Sequence, residues 1–75
     1  MIQNAGKYLG RFLNEWRRRD VAVYEHVDNP ELLITVGWPM DGGEAVVCEE
    51  RRSDWISTLK SIEDATAQGE IYIYN

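Results

Sequence analysis

The amino-acid sequence predicts an α+β fold. The expected architecture is a two-layer sandwich, with a four-stranded, mostly antiparallel sheet carrying two helices on one face, in the order α-β-β-β-α-β. Three observations predict it. Apolar residues recur at helical spacing over 5–16 and again over 55–66. Four segments, 20–27, 32–38, 44–50 and 70–74, are rich in β-branched and aromatic residues. The Asp28-Asn29-Pro30-Glu31 and Asp41-Gly42-Gly43 segments separate the middle strands with turn chemistry. The chain has 75 residues, 44% hydrophobic and 28% charged, which is enough for one domain over 1–75 and too little for two.

The first segment reads as a helix. Ala5, Tyr8, Leu9, Phe12, Leu13 and Trp16 fall on one stripe at the 3.6-residue period. Asn4 is placed to cap it, and Arg17, Arg18 and Arg19 sit where cations offset the negative end of a helix. Gly6 and Gly10 each cost about 1 kcal/mol of helix propensity. They point either to close approach by another backbone or to simple tolerance.

Asp20 to Val27 reads as the first strand, with Val21, Val23 and Val27 toward the core and Ala22, Tyr24 and His26 outward. Leu32 to Trp38 is the second, stopped by Pro39, which cannot donate to a ladder. Pairing Val27 with Leu32 sets Val23 opposite Val36 and Val21 opposite Trp38. Asp41-Gly42-Gly43 supplies the positive φ of a tight hairpin, and Glu44 to Glu50 is the third strand. Ser53 or Asp54 caps a second helix with Trp55, Ile56, Leu59 and Ile62 as its buried stripe, and Gly69 ends it. Glu70 to Tyr74 is the last strand, expected at a sheet edge and parallel to its neighbour, with Ile71 and Ile73 inward and Tyr72 and Tyr74 displayed outward.

Charge is unevenly distributed. Residues 1–19 hold five basic residues against Glu15, a balance of +4, while 20–75 hold Arg51, Arg52 and Lys60 against twelve acids, a balance of −9. The sum is the net charge of −5. An acidic body repels phosphate and favours either plain solubility or a basic partner. The longest apolar run, Leu32 to Trp38, is too short to span a bilayer, and Lys7 and Arg11 interrupt the apolar pattern of the N-terminal segment, unlike a signal peptide. A cytoplasmic protein is expected.

Catalytic chemistry finds little support. His26 is the one histidine and has no serine beside it in sequence. Cys48, the one cysteine, is flanked by Val47 and Glu49; it forms no internal disulfide, and a neighbouring carboxylate suppresses its nucleophilicity, so a structural role in a central strand is expected. Glu49-Glu50 and Glu63-Asp64 diverge on a strand and a helix and so form no convergent pair. No metal site, no cofactor and no enzymatic activity are expected. Gly42-Gly43 is not a phosphate loop, since Asp41 and Glu44 flank it and no Lys-Ser or Lys-Thr follows.

The expected α-β-β-β-α order resembles the double-stranded RNA-binding domain. That family binds through a basic cluster at the start of its second helix and a His-bearing loop between its first two strands. Here those positions read Ser53-Asp54-Trp55 and Asp28-Asn29-Pro30-Glu31, so the resemblance covers topology and none of the binding residues. Arg17, Arg18 and Arg19 with Arg51 and Arg52 form the one basic patch suited to phosphate.

Protein binding is the reading with most support. Three Trp and four Tyr exceed the needs of so thin a core. Trp16 and Trp55 are expected in it, leaving Trp38, Tyr72 and Tyr74 as contact residues, with Asp41, Glu49, Glu50 and Asp54 as the carboxylates that meet a basic partner. The expected function is a small acidic protein-binding module that inhibits or regulates a larger protein by occupying a basic, nucleic-acid-binding surface. In size, acidity and lack of catalytic groups it is similar in type to phage-encoded inhibitors of host machinery, including anti-CRISPR proteins. The alternatives are a nucleic-acid-associated regulator using Arg17 to Arg19 and an accessory protein that dimerises through the 70–74 edge strand.

Overall fold

The computed structural model describes residues 2–75 and shows an α+β fold with one mixed five-stranded sheet and one helix. The strands are β1 (Ala5–Asn14), β2 (Arg19–His26), β3 (Leu32–Pro39), β4 (Val46–Arg51) and β5 (Tyr72–Tyr74). A 3₁₀ turn, Arg52–Asp54, leads into helix α1 (Ile56–Ala67). The strand order is β4-β3-β2-β1-β5. The first four strands form an antiparallel meander, and β5 returns from the helix to lie parallel to β1 at an edge.

The expected first helix is strand β1, so the sheet has five strands rather than four and is covered by one helix rather than two. The pairing of β1 with β2 shifts register twice, between Ala5 and Tyr8 and between Tyr8 and Gly10. Each bulge inserts an extra residue, which turns a spacing of two into a spacing of three. Ala5, Tyr8 and Arg11 therefore share one face at intervals of three, and the apolar pattern takes on a helical look without a helix. Gly10 carries the strand through at φ +136°, in a region that L side chains rarely adopt.

The pairing of β2 with β3 differs by one residue from the expected register. Val21 opposes Gly37, Val23 opposes Thr35 and Glu25 opposes Leu33. A one-residue slip exchanges the faces of a strand. Leu33, Thr35 and Gly37 thus share the helix side with Val21 and Val23, while Ile34, Val36 and Trp38 lie on the other. The apolar pattern of β3 does not choose between these registers, because the strand is apolar on both faces. The connecting loop fixes the choice: Leu32 N–H donates to the Asn29 carbonyl at 3.1 Å, and the Asp28 and Asn29 amides donate to His26 Nδ1 at 3.0 and 3.1 Å. Val27, expected inward, is exposed.

The core lies between the sheet and α1. Phe12, Val21, Val23, Leu33 and Ile62 are buried together, with Leu9, Trp55, Leu59 and Tyr72 packed at its margin. Phe12 and Trp55 meet edge to face, ring centroids 5.8 Å apart. Neither Ser53 nor Asp54 caps the helix; Trp55 holds the N-cap position, and its side chain makes no capping bond. Gly69, at φ +71°, ends the helix as its sequence position predicts. No helix among the described residues is long and apolar enough to cross a membrane.

Candidate functional site

Helix α1 packs against β1 and β5, at one side of the sheet. That leaves two surfaces uncovered: the whole opposite face, and the helix-side surface of β2, β3 and β4 toward the β1–β2 turn.

The opposite face is apolar at its centre. Val36 sits between Ala22 and Val47 in the ladder, and Ile34 between Tyr24 and Glu49. Ala22, Ile34 and Val36 are buried although no element covers them. Around them Tyr8, Trp38 and Val47 are 51%, 43% and 53% exposed. Tyr8 leans on Tyr24, ring centroids 5.4 Å apart. Met40 is exposed at the end of β3, and Ile73 at the β5 edge. Carboxylates border the β3–β4 side: Asp41 and Glu44 in the exposed hairpin loop, and Glu49 on β4, whose Oε2 lies 3.6 Å from His26 Nε2. Arg11 and Asp20 on this face neutralise each other at 2.6 Å.

Of the residues proposed from sequence for partner binding, Trp38 and Glu49 are brought to this face and Asp41 to the exposed hairpin loop at its end. The other four are not. Glu50 faces the helix side and accepts the Trp55 indole N–H at 3.1 Å. Asp54 lies in the 3₁₀ turn, 3.6 Å from the Arg51 guanidinium. Tyr72 pairs with Phe12 and Tyr74 with Asn14 in the parallel ladder, so both tyrosines face the helix side and Ile73 faces out. This reverses the expected orientation of β5, because its phase is set by β1, whose own phase the bulges had hidden. Sequence reasoning missed Tyr8, Met40 and Val47. The sequence pattern puts Tyr8 on a helix stripe and Val47 beside a structural cysteine in a central strand. Cys48 is exposed, because β4 is an edge strand and not a central one.

The uncovered helix-side surface is a cleft of about 320 Å³. Val21, Thr35 and Gly37 form its floor, Trp55 and β4 its walls, and Arg17 and Arg19 its end. The β1–β2 turn that presents these arginines is held at several points. Arg17 N–H donates to Asn14 Oδ1 at 3.0 Å, Glu15 N–H to the Tyr74 carbonyl at 2.8 Å, and Met40 N–H to the Arg18 carbonyl at 2.9 Å. Arg18 takes φ +55° there. Arg17, Arg18 and Arg19 join none of the ion pairs among the described residues. Arg51 and Arg52 are engaged elsewhere: Arg52 bonds Glu25 at 3.2 Å and the Pro30 carbonyl at 2.9 Å, tying the helix entry to the β2–β3 loop. The five arginines thus do not form one patch. Trp16, expected in the core, is 77% exposed beside this turn.

Among the described residues no three His, Cys, Asp or Glu side chains converge as metal ligands would. The fold and its two uncovered surfaces describe a small mixed-sheet α+β protein with one helix. No protein-family model, curated protein or solved structure matches the chain.

Proposed function

We propose that this chain is a small acidic protein-binding module that docks the uncovered sheet face on a larger protein and regulates it by occupying a basic surface. The observation that supports this reading is the face itself, where Ala22, Ile34 and Val36 are packed with no element over them and exposed Tyr8, Trp38 and Val47 surround them. An apolar centre with aromatic residues and a polar margin is the anatomy of a protein interface. Glu49 lies on this face, and Asp41 and Glu44 are exposed in the hairpin loop that joins β3 to β4, so a partner with lysines and arginines around an apolar patch is complementary in charge. A partner surface that holds nucleic acid has that character, and competition for it is the proposed mechanism.

The test uses a partner captured by the native chain from lysate of its own host, then measured in isolation. Val47→Lys with Trp38→Ser should abolish binding, and Asp41→Lys with Glu44→Lys should slow association in a way that added salt reproduces. Arg17→Gln with Arg19→Gln should leave binding unchanged. If the arginine pair abolishes binding and the face variants retain it, the reading is wrong.

A further inference from the structure

The acidic docking face leaves the arginine turn without a role. We infer that the helix-side cleft at that turn is a binding site for a small organic phosphate that carries a flat ring, the chemistry of a nucleoside monophosphate.

The cleft concentrates positive charge in a chain whose net charge is −5. Arg17 and Arg19 line it without ion-pair partners and outnumber the one lining carboxylate, Glu50, which accepts the Trp55 indole N–H and keeps its charge. A glycine leaves room for the stem of Arg19. A Cβ built on Gly37 would stand 3.2 Å from Arg19 Cδ, so the arginine stem lies flat across the sheet at the position where residue 37 has no side chain. Arg19 is half-buried there and lines the cleft. Thr35, one pair further along the same face and 6% exposed, contributes a hydroxyl-bearing side chain to the floor. Guanidinium groups in pairs favour phosphate, because each presents a planar fork of donors.

The ring half of the assignment comes from the neighbouring lobe. A second cavity of about 330 Å³ shares Phe12, Asn14, Arg17 and Trp55 with the first and adds Trp16 and Tyr74. Arg17 therefore stands at the junction, between a cationic lobe and an aromatic one. Trp16 is the most exposed large apolar side chain among the described residues, and Trp55 is fixed in orientation by Glu50. Indole faces next to a phosphate site accept a base by stacking. Each lobe is at the low end of small-ligand pocket volumes, about 300 Å³, which suits one nucleotide rather than a chain of them. The charge balance points the same way. A strand leaving the cleft would carry further phosphates over a surface whose balance over residues 20–75 is −9.

The experiment is a titration of the isotope-labelled chain with AMP and UMP, read at the amides of Arg17 and Arg19 and at the Trp55 indole N–H. Saturable shifts at all three are expected. Arg19→Gln and Arg17→Gln should each weaken binding about tenfold, as loss of a charge-assisted contact does. Arg51→Gln should leave it unchanged, with unaltered melting curves showing that every variant is folded. Adenosine and inorganic phosphate, titrated separately, should each bind more weakly than AMP. Phosphate alone binding as well as AMP would overturn the ring, and adenosine binding as well as AMP would overturn the anion site. No shift at millimolar AMP or UMP would overturn the whole assignment. So would much tighter binding of a single-stranded oligonucleotide with a steep salt dependence, since the ligand would then be a strand.

Discussion

Gly10 is where the sheet and the helix touch. Its φ of +136° already excludes most side chains, and a Cβ built there would lie 2.6 Å from Ile62 Cγ2. Ile62 is 1% exposed and is the one fully buried residue of α1, so it cannot give way without opening the core. Gly10→Ala combines backbone strain of about 1–3 kcal/mol with overpacking of similar size. A domain of this length has about 5 kcal/mol of stability. The variant should lose half or more of its urea resistance, and Gly10→Val should not fold; a midpoint unchanged by Gly10→Ala would contradict the packing. The two helix-side tryptophans separate in the same measurement. Trp16, exposed, should tolerate Ala within about 0.5 kcal/mol. Trp55, which meets Phe12 and donates to Glu50, should cost about 3 kcal/mol when truncated.

Between residues and molecule, what decides each element is whether its pattern survives its irregularities. The second helix, its glycine stop and the three middle strands were legible because their signals are local: a 3.6-residue stripe, a residue with positive φ, a turn rich in Gly, Asp and Asn. The segment 5–14 was not, because two bulges rewrite its period, and Gly6 and Gly10, which argued against a helix, were the better signal. Close approach by another backbone holds for Gly6, where a Cβ would stand 3.1 Å from the Glu25 carbonyl oxygen, whereas Gly10 meets the Ile62 side chain and takes a positive φ. The error then spread by contact. With β1 read as a helix, the strand that sets the phase of β5 is not identified, which puts Tyr72 and Tyr74 on the wrong face. At the candidate site, Trp38, Asp41 and Glu49 were legible as exposed aromatic and acidic groups near a hairpin. The segregation of basic residues into 1–19 was legible too, but not which arginines are paired, since Arg52 finds Glu25 and Pro30 only across the fold. Hydrogen exchange reads these elements directly. Amides of β2 and β3, paired on both sides, should be the slowest, with alternate amides fast along β4 at its open edge. Slow exchange in the i, i+4 manner of a helix over 5–14, with nuclear Overhauser contacts between residues three apart, would refute β1.

For the molecule as a whole, one helix is too little to cover a five-stranded sheet. A folded chain of 8.7 kDa is expected to expose about 4,700 Å². This one exposes 5342 Å², an excess of about 600 Å². One partner's share of a standard protein interface is about 800 Å², so the excess is of the size that a docking event removes. The molecule is also thin, with extents of 30 × 29 × 20 Å, the short one matching a sheet and a single layer of helix. A native chain with this shape should bind an apolar-sensing dye such as ANS under conditions where it is fully folded, which compact monomers do weakly or not at all. The dye signal should come from the uncovered sheet face, not from partial unfolding. Tyr8→Gln, Trp38→Gln and Val47→Lys combined should therefore abolish the fluorescence while the far-UV spectrum shows the chain still folded, because these side chains are already half in water and lie outside the helix-side core. Sedimentation at the same concentration supplies the counter-case. If the native chain shows no dye binding and sediments as a dimer, the face is covered by a second copy, and the same three substitutions should convert it to a monomer. If the native chain shows no dye binding and sediments as a monomer, the uncovered face does not behave as an apolar surface in solution, and the docking proposal loses its physical basis.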